Sequence, residues 1–580
     1  MGKHRASLSI RRGITVLSAA LSLGLLTACW SAAPPGSVNS AATSASEQPA
    51  TSNTTATTRS TMTETPTPSV TTNKPAPGDA PLGWGPAKKD YDAAAAAISR
   101  MSLEEKAGQV LLPYYKGLDP STELGLIKEL HLAGTIIMGD NVPLLSDGSA
   151  DVVAVKNLNT AFTEATMSDG RRWPGMIGVD QEGGAVARLR APLTEWPSAM
   201  SLGASGNVQL ARNMGQGIAT ELRYLGFNTD FAPDSDVTIG PADPVIGARS
   251  MSQNPTQAAE LSTAVAEGIL SGSVLPSIKH FPGHGSVTVD SHIALPVQDG
   301  TLAQLQARDL VPFQHGIDAG LPMVMTGHLD VKAVESGVPA SVSPKNYQLL
   351  RSLGFNGVAI TDALNMGALQ KQYPGGSAAV AALAAGADLL LMPADVRLAH
   401  AAIVQSVADG TIPLFRLNEA ATRVATMMIW RVRVASHGAT PATAGSHMVL
   451  SRQISAAGLT VVQGQCVGNQ IANGIQISGG TPQDRSRLAD AATAAGIRVG
   501  TGPIVTLAGG TVRYAEGDFV IALDSPWVLA PSQAKLGKIA LYGRSPGAFA
   551  ALIQYLSGQA SAPGKLPAAV GPYPVGTACK

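Results

Sequence analysis

The sequence lacks an excess of either charge. Its 41 Lys and Arg residues are balanced by 41 Asp and Glu residues, and charged residues make up only 14% of the 580. A protein that binds a polyanion through its overall charge carries a basic surplus. We therefore expect no nucleic-acid partner. Nothing in the composition indicates the oligomeric state.

Cysteine is also scarce, with three residues in the whole chain: Cys29, Cys466 and Cys579. The last two lie in the final quarter of the chain. If the chain is exported, a disulfide between them is compatible with its surroundings. Sequence alone does not show that they meet.

The N-terminal apolar stretch, Ile14 to Ala28, is too short to span a membrane, because its fifteen residues fall below the ~20 that a spanning helix needs. Basic residues precede it, including the Arg11-Arg12 pair. This arrangement predicts a signal peptide over residues 1–28. A twin-arginine signal is an alternative, although the residues around the pair fit it poorly.

The signal ends in Leu26-Thr27-Ala28-Cys29, which resembles a bacterial lipobox. Cleavage there would leave Cys29 as a lipid-modified first residue, whereas an ordinary secretory signal would make this cysteine incidental. Residues 29–86 consist largely of Ser, Thr, Ala, Pro, Asn and Gly, which predicts a disordered tether. We expect an exported lipoprotein anchored to the outer face of the cell membrane.

From residue 87 to 436, short apolar runs alternate with helical patterns. These runs predict β-strands. They are GTIIM, MIGVD, FNTDFAP, VLPSIKH, MVMTGH, VAITD and ADLLLM. Continuous apolar strands that alternate with helices indicate a parallel sheet covered on both faces. The number of units favours a (β/α)8 TIM-type barrel. Residues 450–580 predict a smaller layered α/β, sandwich-like domain, and we find no internal repeat.

Polar side chains stand where the predicted strands end. They are Asp180, Asp234, Lys279 with His280, His328 and Asp362. In a parallel barrel these ends form one rim, so residues far apart in sequence converge on one pocket. The sequence therefore predicts a binding or catalytic site at this rim.

The segment Lys279 to His292, KHFPGHGSVTVDSH, is the richest in chemistry. Pro282, Gly283 and Gly285 exclude a helix and predict a shaped loop. Asp290 lies two residues from His292, where a carboxylate can orient an imidazole and raise its basicity. This spacing indicates a proton-transfer pair.

Four segments carry a resemblance to a known family: VDQEGGAVARL (Val179 to Leu189), GARSM (Gly247 to Met251), KHFPGHGSVTVDSH and ITDALNM (Ile360 to Met366). In this order they resemble the family 3 glycoside hydrolases, in particular the β-N-acetylglucosaminidase (β-N-acetylhexosaminidase) branch that acts on peptidoglycan fragments. The stretch Tyr542 to Pro567 resembles the family's second domain more weakly.

The resemblance implies a retaining exo-glycosidase without a cofactor or metal, acting on a small carbohydrate substrate. It implies that Asp362 is the nucleophile and that His292, paired with Asp290, is the acid/base. It assigns sugar binding to Asp180, Arg188, Arg249, Lys279 and His280. The chain departs from the family's common Ser-Asp-Asp-Leu form, because Thr361 and Ala363 flank Asp362.

Other readings stay open at this point. A metal-dependent amidohydrolase would also place His and Asp at strand ends, but it usually needs a His-X-His pair, which the sequence lacks. A solute-binding lipoprotein would share the signal and the tether without needing Asp290 and His292. Within the family, a β-glucosidase is an alternative. So is a phosphorolytic enzyme, since a neutral acid/base lets phosphate approach a glycosyl-enzyme.

Overall fold

The computed structural model describes residues 77–579. The predicted signal peptide, Cys29 and most of the predicted tether lie outside these residues. Within them, Trp84 is buried against the barrel core and Pro81 bridges to Ala87, so packed chain begins before residue 87. No helix between residues 77 and 579 combines the length and the apolar character needed to cross a bilayer.

The first region contains thirteen short strands. They are β1 Leu111–Leu112, β2 Gly134–Ile137, β3 Met176–Val179, β4 Gln181–Gly183, β5 Val186–Ala187, β6 Thr229–Asp230, β7 Leu275–Pro276, β8 Ile278–Phe281, β9 Val297–Gln298, β10 Met323–Thr326, β11 Asp330–Val331, β12 Val358–Thr361 and β13 Leu390–Leu391.

Fifteen α-helices accompany these strands. They are α1 Lys88–Ile98, α2 Leu103–Gly108, α3 Ser121–Leu130, α4 Val152–Met167, α5 Met200–Ser205, α6 Val208–Tyr224, α7 Pro255–Ser271, α8 Leu302–Ala307, α9 Val311–Asp318, α10 Lys332–Glu335, α11 Pro344–Ser352, α12 Gly367–Gln370, α13 Ser377–Ala385, α14 Val396–Ala408 and α15 Leu414–Ala435.

Parallel pairing closes the strands into a ring. β2, β3, β6 and β7 form one run, β8, β10 and β12 form another, and β13 pairs with β1. β7 and β8 act as one strand interrupted at Ser277, whose N–H donates to the Ala232 carbonyl at 3.0 Å. Bonds from Thr361 N to the Leu389 carbonyl and from Ile136 N to the Pro113 carbonyl, both 3.0 Å, complete the circle. The predicted (β/α)8 barrel is confirmed, with β1 as the strand that the pattern missed.

Local sequence explains several helix boundaries. The sequence Ser102-Leu103-Glu104-Glu105 predicts a capping box at the start of α2, and the structure contains it, with the Ser102 side chain accepting from the Glu105 N–H. Asn254 caps α7, and Pro255 occupies the first turn, where its missing N–H has no cost. The amphipathic pattern of Leu417 to Trp430 predicts a last barrel helix that Asn418 caps, and this prediction of the cap is wrong. α15 begins four residues earlier, at Leu414, so Asn418 lies inside it.

The second region is a smaller layered α/β domain, as predicted. Its strands are β14 Thr460–Gln463, β15 Ile475–Gly479, β16 Val499–Ala508, β17 Glu516–Ala522 and β18 Gln533–Ala540, and its helices are α16 Met448–Gly458, α17 Pro482–Ala494 and α18 Pro546–Leu556. The sheet order is β14-β18-β17-β16-β15, parallel except for the β14–β18 pair.

This domain packs on the barrel through one face of its sheet. Val520 and Tyr542 share a buried cluster with Met200 and Ala248 of the barrel. The other face packs against helix residues such as Leu488 and Phe549. Cys466 and Cys579 form a disulfide, with their Cα atoms 5.3 Å apart.

Candidate active site

A cavity of about 520 Å³ opens at the carboxyl ends of the barrel strands. All eight residues predicted to act in catalysis or sugar binding within the barrel line it: Asp180, Arg188, Arg249, Lys279, His280, Asp290, His292 and Asp362. Glu182, His284 and Ser291 line it as well. Among residues 77–579, none beyond Met392 contributes to its wall. The second domain therefore supplies no described side chain to this cavity.

The barrel brings these residues together through strand ends. Asp180 directly follows β3, Lys279 and His280 lie within β8, and Asp362 directly follows β12. Because parallel strands of a barrel end at the same rim, side chains separated by about 80 to 180 residues share one cavity. Apolar residues such as Met138 and Met366 complete the wall.

Asp362 is held as a carboxylate. Its Oδ1 accepts a hydrogen bond of 2.8 Å from the Ala363 N–H. Burial opposes its ionisation, but the neighbouring His328 and His280 rings, the Ala363 N–H and the Lys279 ammonium together lower its pKa to about 2. An ionised strand-end carboxylate is suited to attack an electrophilic carbon and unsuited to donate a proton.

The cationic residues of the cavity are already paired with carboxylates. Lys279 Nζ lies 3.0 Å from Asp180 and 2.7 Å from Glu182. Arg249 binds Glu182 through two hydrogen bonds of 2.9 and 2.8 Å. Arg188 lies 3.1 Å from Asp180. The two carboxylates thus hold the three cations in a fixed frame.

The pKa values of this frame follow from its pairing. Burial raises the pKa of Asp180, but Lys279 and Arg188 bring it below its ordinary value. Glu182 is also desolvated, yet Arg249 and Lys279 lower its pKa strongly. Burial lowers the pKa of Lys279, and the two carboxylates more than reverse this. All of these groups are therefore charged at neutral pH.

His280 is oriented by a buried carboxylate. Its Nδ1 lies 2.7 Å from Asp236 Oδ2, and its Nε2 lies 3.5 Å from Arg249. Burial, followed by the Arg249 charge, lowers the pKa of His280 to about 4. The ring is neutral at ordinary pH, and its Nε2 faces the Arg249 guanidinium.

His292 and Asp290 form a second pair in a different setting. His292 Nδ1 lies 2.8 Å from Asp290 Oδ1, which also accepts the His292 backbone N–H at 2.8 Å. The His292 side chain is 66% exposed and that of Asp290 33%. The hydrogen bond that the spacing predicts is present, and both side chains are accessible to solvent. Their catalytic role stays a prediction.

Two further strand-end candidates, Asp234 and His328, lie behind the cavity and not in its wall. Asp234 is buried 3.2 Å from Arg249. Burial and then the Asp236 charge raise its pKa to about 8. His328 is fully buried between the Ser341 hydroxyl and the Ala363 carbonyl. Both support the residues that face the cavity.

Sequence reasoning missed four residues around this site: Glu182, Asp236, His284 and Ser291. Glu182, His284 and Ser291 lie inside motifs that already held predicted residues, so a signal was present. Asp236 follows Asp234 by two residues, and its bond to His280 is formed across 44 positions of sequence. Only the fold reveals that contact.

One group of side chains has the composition of a metal site. Ligand atoms of Asp234, Asp236 and His280 lie within 4.8 Å of one another. Asp236 already bonds the His280 ring, and Arg249 supplies positive charge to Asp234. Protein groups therefore balance this cluster, which favours a hydrogen-bonded network over a cation site.

Residues 102–427 match a family model described as the glycosyl hydrolase family 3 N-terminal domain. The chain is 36% identical over 290 residues to beta-hexosaminidase A of Pseudoalteromonas piscicida, a match that covers 47% of each protein, about half of that relative. It is 32% identical over 338 residues to beta-hexosaminidase LpqI of Mycobacterium tuberculosis, covering 56% of this chain and 83% of that one.

Among solved structures, the chain is similar to a family 3 beta-N-acetylglucosaminidase from Paenibacillus sp. str. FPU-7. The TM-score is 0.72 at 27% identity, and the match covers 81% of this chain and 99% of that one. The likeness thus extends through both the barrel and the second domain.

Proposed function

The chain belongs to glycosyl hydrolase family 3, and from that premise we propose that it is a retaining exo-β-N-acetylglucosaminidase. It removes terminal β-linked N-acetylglucosamine through a glycosyl-Asp362 intermediate. The observation that carries the proposal is the convergence of an ionised Asp362 and the Asp290–His292 pair on one cavity. Support for the sugar comes from relatives named beta-hexosaminidase and a structural neighbour named beta-N-acetylglucosaminidase.

In this mechanism Asp362 attacks the anomeric carbon while His292 gives its proton to the leaving oxygen. The bond to the leaving group breaks, and a covalent glycosyl-enzyme forms. His292 then takes a proton from water, which attacks the same carbon and releases Asp362. Asp290 orients the imidazole and stabilises its charged form, as a carboxylate does in a Ser-His-Asp triad.

The charged frame is suited to hold the sugar without moving. Arg188, Arg249 and Lys279 present N–H donors to hydroxyl and acetamido oxygens, and Asp180 accepts from hydroxyl groups. Because each cation is already fixed by a carboxylate, substrate binding orders few side chains. The frame is therefore in place before the sugar binds.

Turnover of aryl N-acetyl-β-glucosaminides against the matching glucosides tests the sugar. We expect a clear preference for the N-acetyl substrate, and equal or better use of the glucoside would contradict it. Adding phosphate to reactions with peptidoglycan-derived disaccharides separates hydrolysis from phosphorolysis. We expect free N-acetylglucosamine in both cases. A sugar 1-phosphate would favour the phosphorolytic alternative.

The proposal includes export and a lipid anchor at Cys29, so that the enzyme acts on peptidoglycan fragments at the outer face of the membrane. The support is the Leu-Thr-Ala-Cys sequence after the apolar stretch. In cells, Cys29→Ser should move the protein from the membrane fraction to the soluble fraction. Unchanged membrane association would contradict the anchor.

A further inference from the structure

From Thr288 to Ile293, the segment that carries Asp290 and His292 is exposed or half-buried at every residue except one, which lies between them. Thr288, Val289, His292 and Ile293 are all exposed. Ser291, in contrast, is 3% exposed and points inward. Ser291 lies between Asp290 and His292 and points the other way, so it can fix the position of the pair without taking part in the reaction.

Ser291 reaches a second buried histidine. Its Oγ lies 3.0 Å from Nε2 of His284, which is 2% exposed. The other ring nitrogen of His284 is buried and has no hydrogen-bond partner among the described residues. Buried ring nitrogens usually have hydrogen-bond partners. For the His284 ring, that partner is the Ser291 hydroxyl.

His284 is itself held firmly. Its backbone N–H donates to Asp236 Oδ1 at 2.6 Å, and its ring packs edge-on against His280 with centroids 5.9 Å apart. The next residue, Gly285, lies against the Val237 backbone so closely that a Cβ there would overlap it. The His284 ring is thus held rigidly beneath the loop that carries Asp290 and His292, whose other contacts are largely with solvent.

We propose that His284 and Ser291 are positioning residues, whose contact holds the Asp290–His292 pair at the distance that proton transfer requires. This rests on the proposed function. On the far side of the loop, a Cβ added at Gly367 would lie 2.8 Å from the His292 carbonyl. The loop is therefore held between His284 and the segment that follows Asp362.

The expected size follows from one neutral hydrogen bond, which shifts an equilibrium by about five- to tenfold. Ser291→Ala should lower kcat/KM by about that factor on substrates with poor leaving groups. On a highly activated phenol the loss should be small, because that bond breaks without a proton. His284→Leu should lower kcat/KM in the same way. His284→Gln should lower it less, because the glutamine amide can still reach Ser291.

Thr288→Ala is the matched control. It removes a hydroxyl from the same loop at an exposed position that does not line the cavity, so its kcat/KM should equal that of the wild type across the series. Thermal melts of all variants identify any that fail to fold. Equal losses on good and poor leaving groups, or no loss for Ser291→Ala, would overturn the proposal.

Hydrogen exchange of residues 286–296 gives a readout that does not need turnover. Ser291→Ala and His284→Leu should speed exchange there, whereas Thr288→Ala should not. If the wild type hydrolyses no member of the series, the proposed function fails, and exchange still decides whether the contact holds the loop. Unchanged exchange in Ser291→Ala would overturn the positioning role in either case.

Discussion

Two histidine–aspartate pairs serve the same cavity and differ in their surroundings. The Nδ1–carboxylate distances are 2.7 Å for His280 with Asp236 and 2.8 Å for His292 with Asp290. The side chains of the first pair are 9% and 0% exposed, and those of the second are 66% and 33% exposed. The two hydrogen bonds are therefore of similar length, but one pair is buried and the other is exposed to solvent.

The difference indicates a division of labour. Burial lowers the pKa of His280 to about 4, so that ring remains a neutral group with one fixed tautomer. His292 lies on a loop in contact with water, where protons can be exchanged with solvent. We infer that the buried pair orients the sugar and the exposed pair moves the proton.

The largest expected effect concerns Asp362, the proposed nucleophile in the cavity that both pairs serve. Asp362→Asn should reduce kcat by roughly 10⁴-fold or more, because the neutral amide is a poor nucleophile. The fold should persist, since the amide can keep the bond from the Ala363 N–H. Mass spectrometry after reaction with a 2-fluoro sugar should place the label on Asp362. A label on any other residue would contradict the assignment.

The next largest effect concerns the exposed pair, His292 and Asp290, and tests whether it transfers the proton. His292→Ala should reduce kcat/KM by ~10²–10⁴-fold on poor leaving groups and far less on activated phenols, because only the former need a proton. Asp290→Asn should show the same dependence in weaker form, since it disturbs the ring without removing it. Measurements across a series of phenols test both. A uniform loss would show that this loop binds substrate but transfers no proton.

A substitution in the buried pair should lower kcat/KM by the same factor for every leaving group. His280→Asn keeps a donor for Asp236 and removes Nε2, the ring atom through which we expect His280 to bind the sugar. We expect a loss in kcat/KM of about tenfold, the size of one hydrogen bond to sugar, and equal for all leaving groups. A loss that grows as the leaving group becomes poorer would remove the distinction between the two pairs.

The smallest expected effect on activity comes from Glu123, a buried carboxyl group that pairs with no cation among residues 77–579. Glu123 is 3% exposed and accepts a hydrogen bond of 3.2 Å from Thr135. Burial raises its pKa to about 7. Above pH 4.5 the unfolded chain loses this proton first, so stability should fall as pH rises and level off above about pH 7. The total is roughly 3 kcal/mol.

Glu123→Gln should remove that dependence, giving a variant that gains stability over the wild type between pH 5 and 8 while kcat stays the same. Chemical denaturation at several pH values measures it. Glu164→Gln, at an exposed position of the neighbouring helix α4, is the control and should not alter the pH dependence. A constant difference between Glu123→Gln and the wild type would contradict the raised pKa.

Much of the fold was predictable because its signals are local. The apolar runs that end at Asp180, His280 and Asp362 mark strands directly, and the structure places β3, β8 and β12 there. β1 was missed because two residues, Leu111 and Leu112, carry no periodicity. The Cys466–Cys579 pair joins positions 113 residues apart, which no local pattern could indicate.

The sequence by itself determined the alternation of strands and helices, and hence that polar strand-end residues would converge at one rim. Only the tertiary structure decided which charges meet there, since Lys279 pairs with Asp180 across 99 residues and His280 with Asp236 across 44. It also decided that one His–Asp pair is buried and the other exposed. The physical reason is that strand formation depends on neighbouring residues, whereas pKa and exposure depend on packing between distant ones.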